Sequence, residues 1–143
     1  MQHIVGMTQL GIRNVSSSNR DDYDAARDAG SRILSVRDVR RLGSEGVLEL
    51  IPQGIDYYIT IDIDGFDPSI APGTGTPSHG GFLYYEVLEI IQALAKRSQG
   101  KIVGMDLVEV APAYDPAGVT SILAAQLLLN SIGFIFHERA RAR

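Results

Sequence analysis

The stretch from Tyr57 to Val110 constrains the fold more than any other part of the chain. It opens with "YYITIDI", a run of β-branched and aromatic residues that reads as a strand, and it closes with "KIVGMDLVEV", a second apolar strand. Between them lie a proline- and glycine-rich loop from Gly65 to Gly81 and the segment "FLYYEVLEIIQALAKR", whose apolar positions recur at the helical period. Strands joined through a helix pair in parallel, and the crossover is right-handed. The same order is repeated upstream. Ile4 to Ile12 reads as a strand, and in the polar turn "RNVSSSNRDD" Ser18, Asn19 or Asp21 is placed to cap a helix over "DDYDAARDAG" that stops at Gly30. "RILSV" then reads as a brief strand. Arg37 to Leu50 reads as a helix with the stripe Val39, Leu42, Val47 and Leu50, which Gly43 and Gly46 are liable to break. The run "VTSILAAQLLLNSIGFIFHERARAR" is a long, nearly all-apolar helix with a charged last turn. This alternation predicts an α/β fold, a mainly parallel sheet with helices on both faces. One domain over 1–143, without an internal boundary, repeat or low-complexity tract, is expected.

Composition narrows the function. A net charge of -4 offers no broad cationic field to a phosphate backbone, and no aromatic-basic interleaving appears, so nucleic acid is not an expected partner. The absence of cysteine removes disulfide scaffolds and thiolate metal sites, suits a reducing cytoplasm, and leaves any metal to oxygen and imidazole ligands. The beginning "MQHIVGMTQLGIRN" lacks a cationic segment followed by a long apolar one, and no segment reads as apolar enough to span a bilayer, so no membrane partner is expected. The terminal "HERARAR" reads as a solvated helix end in preference to a subunit contact.

In parallel sheets ligands gather at the carboxyl ends of strands, where Asp62, Asp64 and Glu109 lie. Strand alternation puts Thr60, Asp62 and Asp64 on one face, with the two aspartates about 6.6 Å apart at their backbones. Two ionised carboxylates side by side repel and resist burial. A shared divalent cation relieves this, and the arrangement suits a two-metal cluster. The plain alternative is that Asp64 caps the loop while Asp62 pairs with a basic residue. The prolines and glycines of "DPSIAPGTGTPSHGG" specify a rigid path, consistent with a loop built to hold a site.

"TIDIDGFDP" followed by "APGTGTPSHGG" resembles the signature of the ureohydrolases, the arginase and agmatinase family, and the "APGTGTP" form is similar to the agmatinase-like branch. "TQLGIRN", "GMDLVEVAPAYD" and "TSILAAQLL" extend the resemblance over nearly the whole chain. It implies a three-layer arginase-like α/β/α fold of which this chain is the C-terminal part. It implies manganese, two ions in a complete site, with Asp62 and Asp64 among the ligands, and Glu109 as the acid that holds the substrate guanidinium. The reaction implied is hydrolysis of an agmatine-like guanidino compound to urea and an amine. His79 departs from the family pattern and is placed at the substrate mouth, while Asp67 orders the loop. His3 and His137 have no ligand spacing, and His137 reads as a helix-end residue favoured by the macrodipole. The family's Gly-Gly-Asp-His and Asp-Ala-His-x-Asp motifs, and its catalytic histidine, are absent from these residues. The chain is therefore expected to be inactive alone, and to act as a homo-oligomer or with a partner supplying the N-terminal half.

Two other readings compete. "ITIDIDG" also resembles the strand-end motif of haloacid-dehalogenase-like phosphohydrolases, with Asp62 as nucleophile and Asp64 as acid, but Phe66 stands where threonine is preferred and Pro68 has no place there. The missing motifs equally fit a non-catalytic remnant or oligomerisation module. A calcium loop centred on Gly65 fails, because Thr60 and Ala71 fall where aspartate and glutamate are required.

Overall fold

At Asn19, Ser35 and Asp115 the sequence supplies an acceptor for the first free N–H groups of a helix. In this computed structural model, which describes residues 4–13, 18–97 and 101–141, strand β1 (Met7–Leu10) leads to helix α1 (Arg20–Asp28) and strand β2 (Ser31–Leu34). Asn19 caps α1: its side chain accepts from Asp22 N at 3.1 Å, and the Asp22 carboxylate accepts from Asn19 N at 2.8 Å. Ser35 and Asp38 form the same reciprocal pair at the start of helix α2 (Val36–Leu50). Gly43, at φ 68°, breaks the helical path inside α2, as its sequence position suggested. Strand β3 (Tyr57–Asp62), helix α3 (Tyr84–Lys96), strand β4 (Ile102–Val108) and helix α4 (Val119–Arg141) follow. Short 3-10 turns occupy Ile63–Gly65 and Pro112–Tyr114. Asp115 caps α4, accepting from Thr120 N at 2.6 Å.

Both strand pairs are parallel, as the crossovers predict. β1 pairs with β2 around α1, and β3 pairs with β4 around the loop and α3, with Asp62 opposite Val108. One face of β3 enters the core through Ile59 and Ile61, which pack with Val47 of α2, Ile91 of α3 and Leu127 of α4. The other face carries Tyr58, Thr60 and Asp62. Tyr58 is 64% exposed, and its hydroxyl and that of Thr60 donate to Asp106 at 2.9 and 2.6 Å.

Helix α4 corrects one expectation. Its stretch Val119–Glu138 has the length and apolar composition of a membrane-crossing helix, although no segment read that way. Leu123, Ala124, Leu127 and Ser131 nevertheless form a buried stripe, the placement of a helix docked on a protein core. Ile122, Leu129, Ile132 and Phe136 are exposed along the opposite side.

Candidate functional site

Strand alternation governs the acids only as far as Asp62. β3 ends there because the Asp62 carboxylate accepts the Asp64 N–H at 3.1 Å, a local side-chain-to-backbone bond that competes with the ladder and turns Ile63–Gly65 into a 3-10 turn. Asp64 is therefore placed by the turn, and the separation inferred from strand rise does not apply to it. The plain alternative is also reversed. Asp62 is the cap, and among the described residues it makes no ion pair. The second oxygen of Asp64 accepts the Thr76 hydroxyl at 2.7 Å, which ties it to the far limb of the loop.

Glu109 follows directly on Val108, the residue paired with Asp62, so it stands at the same end of the neighbouring strand. Its φ of 64° lies in the left-handed region, an uncommon conformation for a residue with a long side chain and one that recurs at functional sites. Asp62 is the acid on which its surroundings act. Partial burial pushes the Asp62 carboxyl above its ordinary range, and the charges of Asp64 and Glu109 push it further. The Asp64 N–H and the Arg13 guanidinium pull the other way.

The loop is closed at its neck. Asp67 N donates to Phe82 O at 2.9 Å and Phe82 N to Gly65 O at 3.0 Å, so its two ends lie side by side in the manner of an Ω-loop. Asp67 orders the loop, as its sequence context implied: its carboxylate accepts from Ser69 N at 3.0 Å, Gly80 N at 2.9 Å and Gly81 N at 3.2 Å. These bonds, those from Ser69 foremost, hold its carboxyl down to about 2. On its other side the loop is anchored to the rest of the fold. Gly73 N donates to the buried Thr120 hydroxyl at 2.8 Å, and Gly73 O accepts from Ala111 N at 2.7 Å.

The sequence candidates thus divide. Asp62, Asp64 and Glu109 come together at the strand ends. His79 lies exposed on the returning limb of the loop, its carbonyl accepting from Arg13 Nε at 3.3 Å. His137 is exposed on α4, and His3 lies outside the described residues. Sequence reading missed Arg13 and Thr76. Arg13 carried the only signal available, a cation directly after a strand in "GIRN", and no spacing rule reveals that its partners are backbone carbonyls.

The oxygen donors present suit manganese or magnesium in kind. They do not suffice in number: among the described residues no group of three or more His, Asp or Glu side chains is able to hold a metal ion. Asp62 and Asp64 do not by themselves complete a metal centre.

A family model described as the arginase family matches residues 2–133. Proclavaminate amidinohydrolase from Streptomyces clavuligerus is 40% identical over 124 residues, which span 85% of this chain and 38% of that protein. An agmatinase from Halalkalibacterium halodurans is 38% identical over 127 residues, 87% of this chain and 42% of that one. Among solved structures, the agmatine ureohydrolase of Thermoplasma volcanium superimposes with a TM-score of 0.80 at 32% identity, over 94% of this chain and 44% of that chain. The chain spans less than half the length of these relatives.

Proposed function

Because the chain belongs to the arginase family, we propose that it supplies part of the substrate and metal site of a ureohydrolase that cleaves an agmatine-like guanidino compound to urea and an amine. The observation that supports this most is the meeting of Asp62, Asp64 and Glu109 at the carboxyl ends of two paired strands. A planar guanidinium offers paired N–H groups, and a carboxylate such as Glu109 accepts two of them side by side, which fixes orientation as well as charge. Asp62 and Asp64 would hold manganese jointly with ligands from the remaining part of the fold; in a completed centre the metal supplies activation of water. Without those ligands the chain alone is inactive. The partner is polypeptide carrying the Gly-Gly-Asp-His and Asp-Ala-His-x-Asp motifs, joined to this chain or separate from it.

The test is urea release from agmatine in manganese buffer, with guanidinobutyrate, guanidinopropionate and arginine in parallel. The 143-residue chain is expected to give no more than a metal-only blank, and addition of the motif-bearing polypeptide to give turnover that Asp62→Ala and Glu109→Gln abolish. Turnover by the isolated chain that Asp62→Ala removes would overturn its dependence on a partner. No turnover with any substrate after addition, despite a folded complex, would favour a non-catalytic remnant.

A further inference from the structure

We propose that Arg13 is the positioning residue of the candidate site: from the end of β1 its guanidinium clamps both limbs of the loop, holding Asp64 and the rim at Ser78 and His79 in one arrangement. The proposal rests on reading Asp62, Asp64 and Glu109 as the site.

Gly11 brings Arg13 within reach. It sits at φ 89° immediately after β1, where a Cβ would lie 2.5 Å from the Phe82 ring. Only a residue without a side chain lets the strand exit cross the phenylalanine that closes the loop's neck. From there Arg13 Nη2 donates to Asp64 O at 2.5 Å, Ser78 O at 2.6 Å and Phe66 O at 3.3 Å, and Nε donates to His79 O at 3.3 Å. Nη1 turns back to the chain's own Gly11 O at 3.5 Å. Asp64 and Phe66 belong to the outgoing limb, Ser78 and His79 to the returning one.

Among the described residues Arg13 forms no ion pair. Its donors are committed to carbonyl oxygens, and a planar fork with five N–H groups is the side chain that serves several of them at once. Asp64 is consequently fixed at three points: its carbonyl by Arg13, its N–H by Asp62 and its carboxylate by Thr76. Removal of the guanidinium leaves carbonyl dipoles from both limbs facing one another with no donor between them, and the limbs separate. Lysine keeps the charge but not the fork, so it is not expected to substitute.

Amide hydrogen exchange on the 143-residue chain, read by NMR in Arg13→Lys and Arg13→Gln, tests the clamp. Exchange at Asp64, Gly80 and Gly81 is expected to accelerate about tenfold in both variants, as each amide loses a bond that the clamp keeps in register. The Asp64 amide resonance should also leave the position set by its bond to Asp62. Amides of α3 and of the β3–β4 ladder should keep their protection. Restoration of loop protection by lysine would overturn the proposal, since charge alone would then suffice. So would acceleration spread evenly over α3, α4 and the ladder, which marks a purely global role, and so would unchanged exchange. None of these measurements needs metal or substrate, so a failure to release urea sinks the functional reading without touching this result.

Discussion

Replacing Gly81 with alanine is expected to force open the neck of the Asp67 loop. A Cβ at this position falls 2.4 Å from the Phe66 carbonyl carbon, 2.4 Å from Asp67 N and 2.5 Å from Phe66 O. All three are backbone atoms, so no rotamer change relieves the overlap. Favourable carbon contacts begin near about 3.5 Å, and the limbs must therefore part by roughly 1 Å. Four hydrogen bonds cross this neck: Asp67 N to Phe82 O, Phe82 N to Gly65 O, and the Gly80 and Gly81 amides to the Asp67 carboxylate. They span 2.9 to 3.2 Å, and a further ångström carries all of them beyond hydrogen-bonding distance. At about 0.5–1.5 kcal/mol net for each bond, with no premium for the solvent-facing carboxylate, the loss comes to about 2–6 kcal/mol. Gly81 does not have a positive φ, so the effect is steric and owes nothing to backbone preference. Urea unfolding followed by circular dichroism reads it directly: with a slope of about 1–2 kcal/mol per molar urea, the midpoint should fall by at least about 1 M. Gly75→Ala is the control, because a Cβ there meets nothing within 4 Å, and it should stay within about 0.5 kcal/mol of the parent. Equal midpoints for Gly81→Ala and Gly75→Ala would refute the reasoning.

Thr120→Val keeps the shape of a fully buried residue but strips Gly73 N of its acceptor; a loss of about 1–3 kcal/mol in thermal melts is expected, with Thr120→Ser much milder. Asp67 has its carboxyl at about 2 in the fold against an ordinary value of about 3.9, so its contribution to stability is complete above the ordinary value and vanishes as pH falls toward 2. The acid limb of a pH titration of stability should accordingly flatten between about pH 4 and 2 in Asp67→Asn, and an unchanged limb would count against the three-amide bond set. Asp62 shifts the other way: its penalty is present above the raised value and absent below the ordinary one. Metal-free Asp62→Asn should melt higher than the parent at pH 7, and the two should converge in acid. A lower melting temperature for Asp62→Asn at pH 7 would contradict the reading that burial, with the neighbouring acids, disfavours the charged Asp62 carboxylate.

The order of elements was legible because it depends on local signals. Periodicity separated α3 from β3 and β4, and Asn19 was among the acceptors read for the start of α1; Ser35, which caps α2, was read as part of the strand "RILSV". Gly43 marked the break in α2. The placement of Asp62 and Glu109 at strand ends was legible because a parallel sheet exposes its strand ends. The placement read for Asp64 rested on a reason that does not hold in the structure: period-two alternation assumes the strand continues, and the Asp62 carboxylate ends it by capturing the Asp64 amide. Arg13 was illegible because its partners, Gly11 O apart, are carbonyls 51 to 66 residues away, and every residue has a carbonyl. Side-chain identity carries no information about such a contact. The exposed side of α4 was hidden for a related reason, since a helix apolar on all sides gives no sign of which face finds a partner.

The left-handed backbone at Glu109 sets stability and chemistry against each other at a single position. A glutamate held at φ 64° carries a backbone strain of about 1–2 kcal/mol that glycine would not. Libraries of this chain selected only for heat resistance should therefore drift toward Glu109→Gly or Glu109→Asn, because those residues tolerate the conformation. The survivors would be easier to fold and would lack the carboxylate at the strand end beside that of Asp62. Position 109 is thus where a gain in robustness is most readily mistaken for an improvement, and any stabilisation campaign on this chain should hold it fixed.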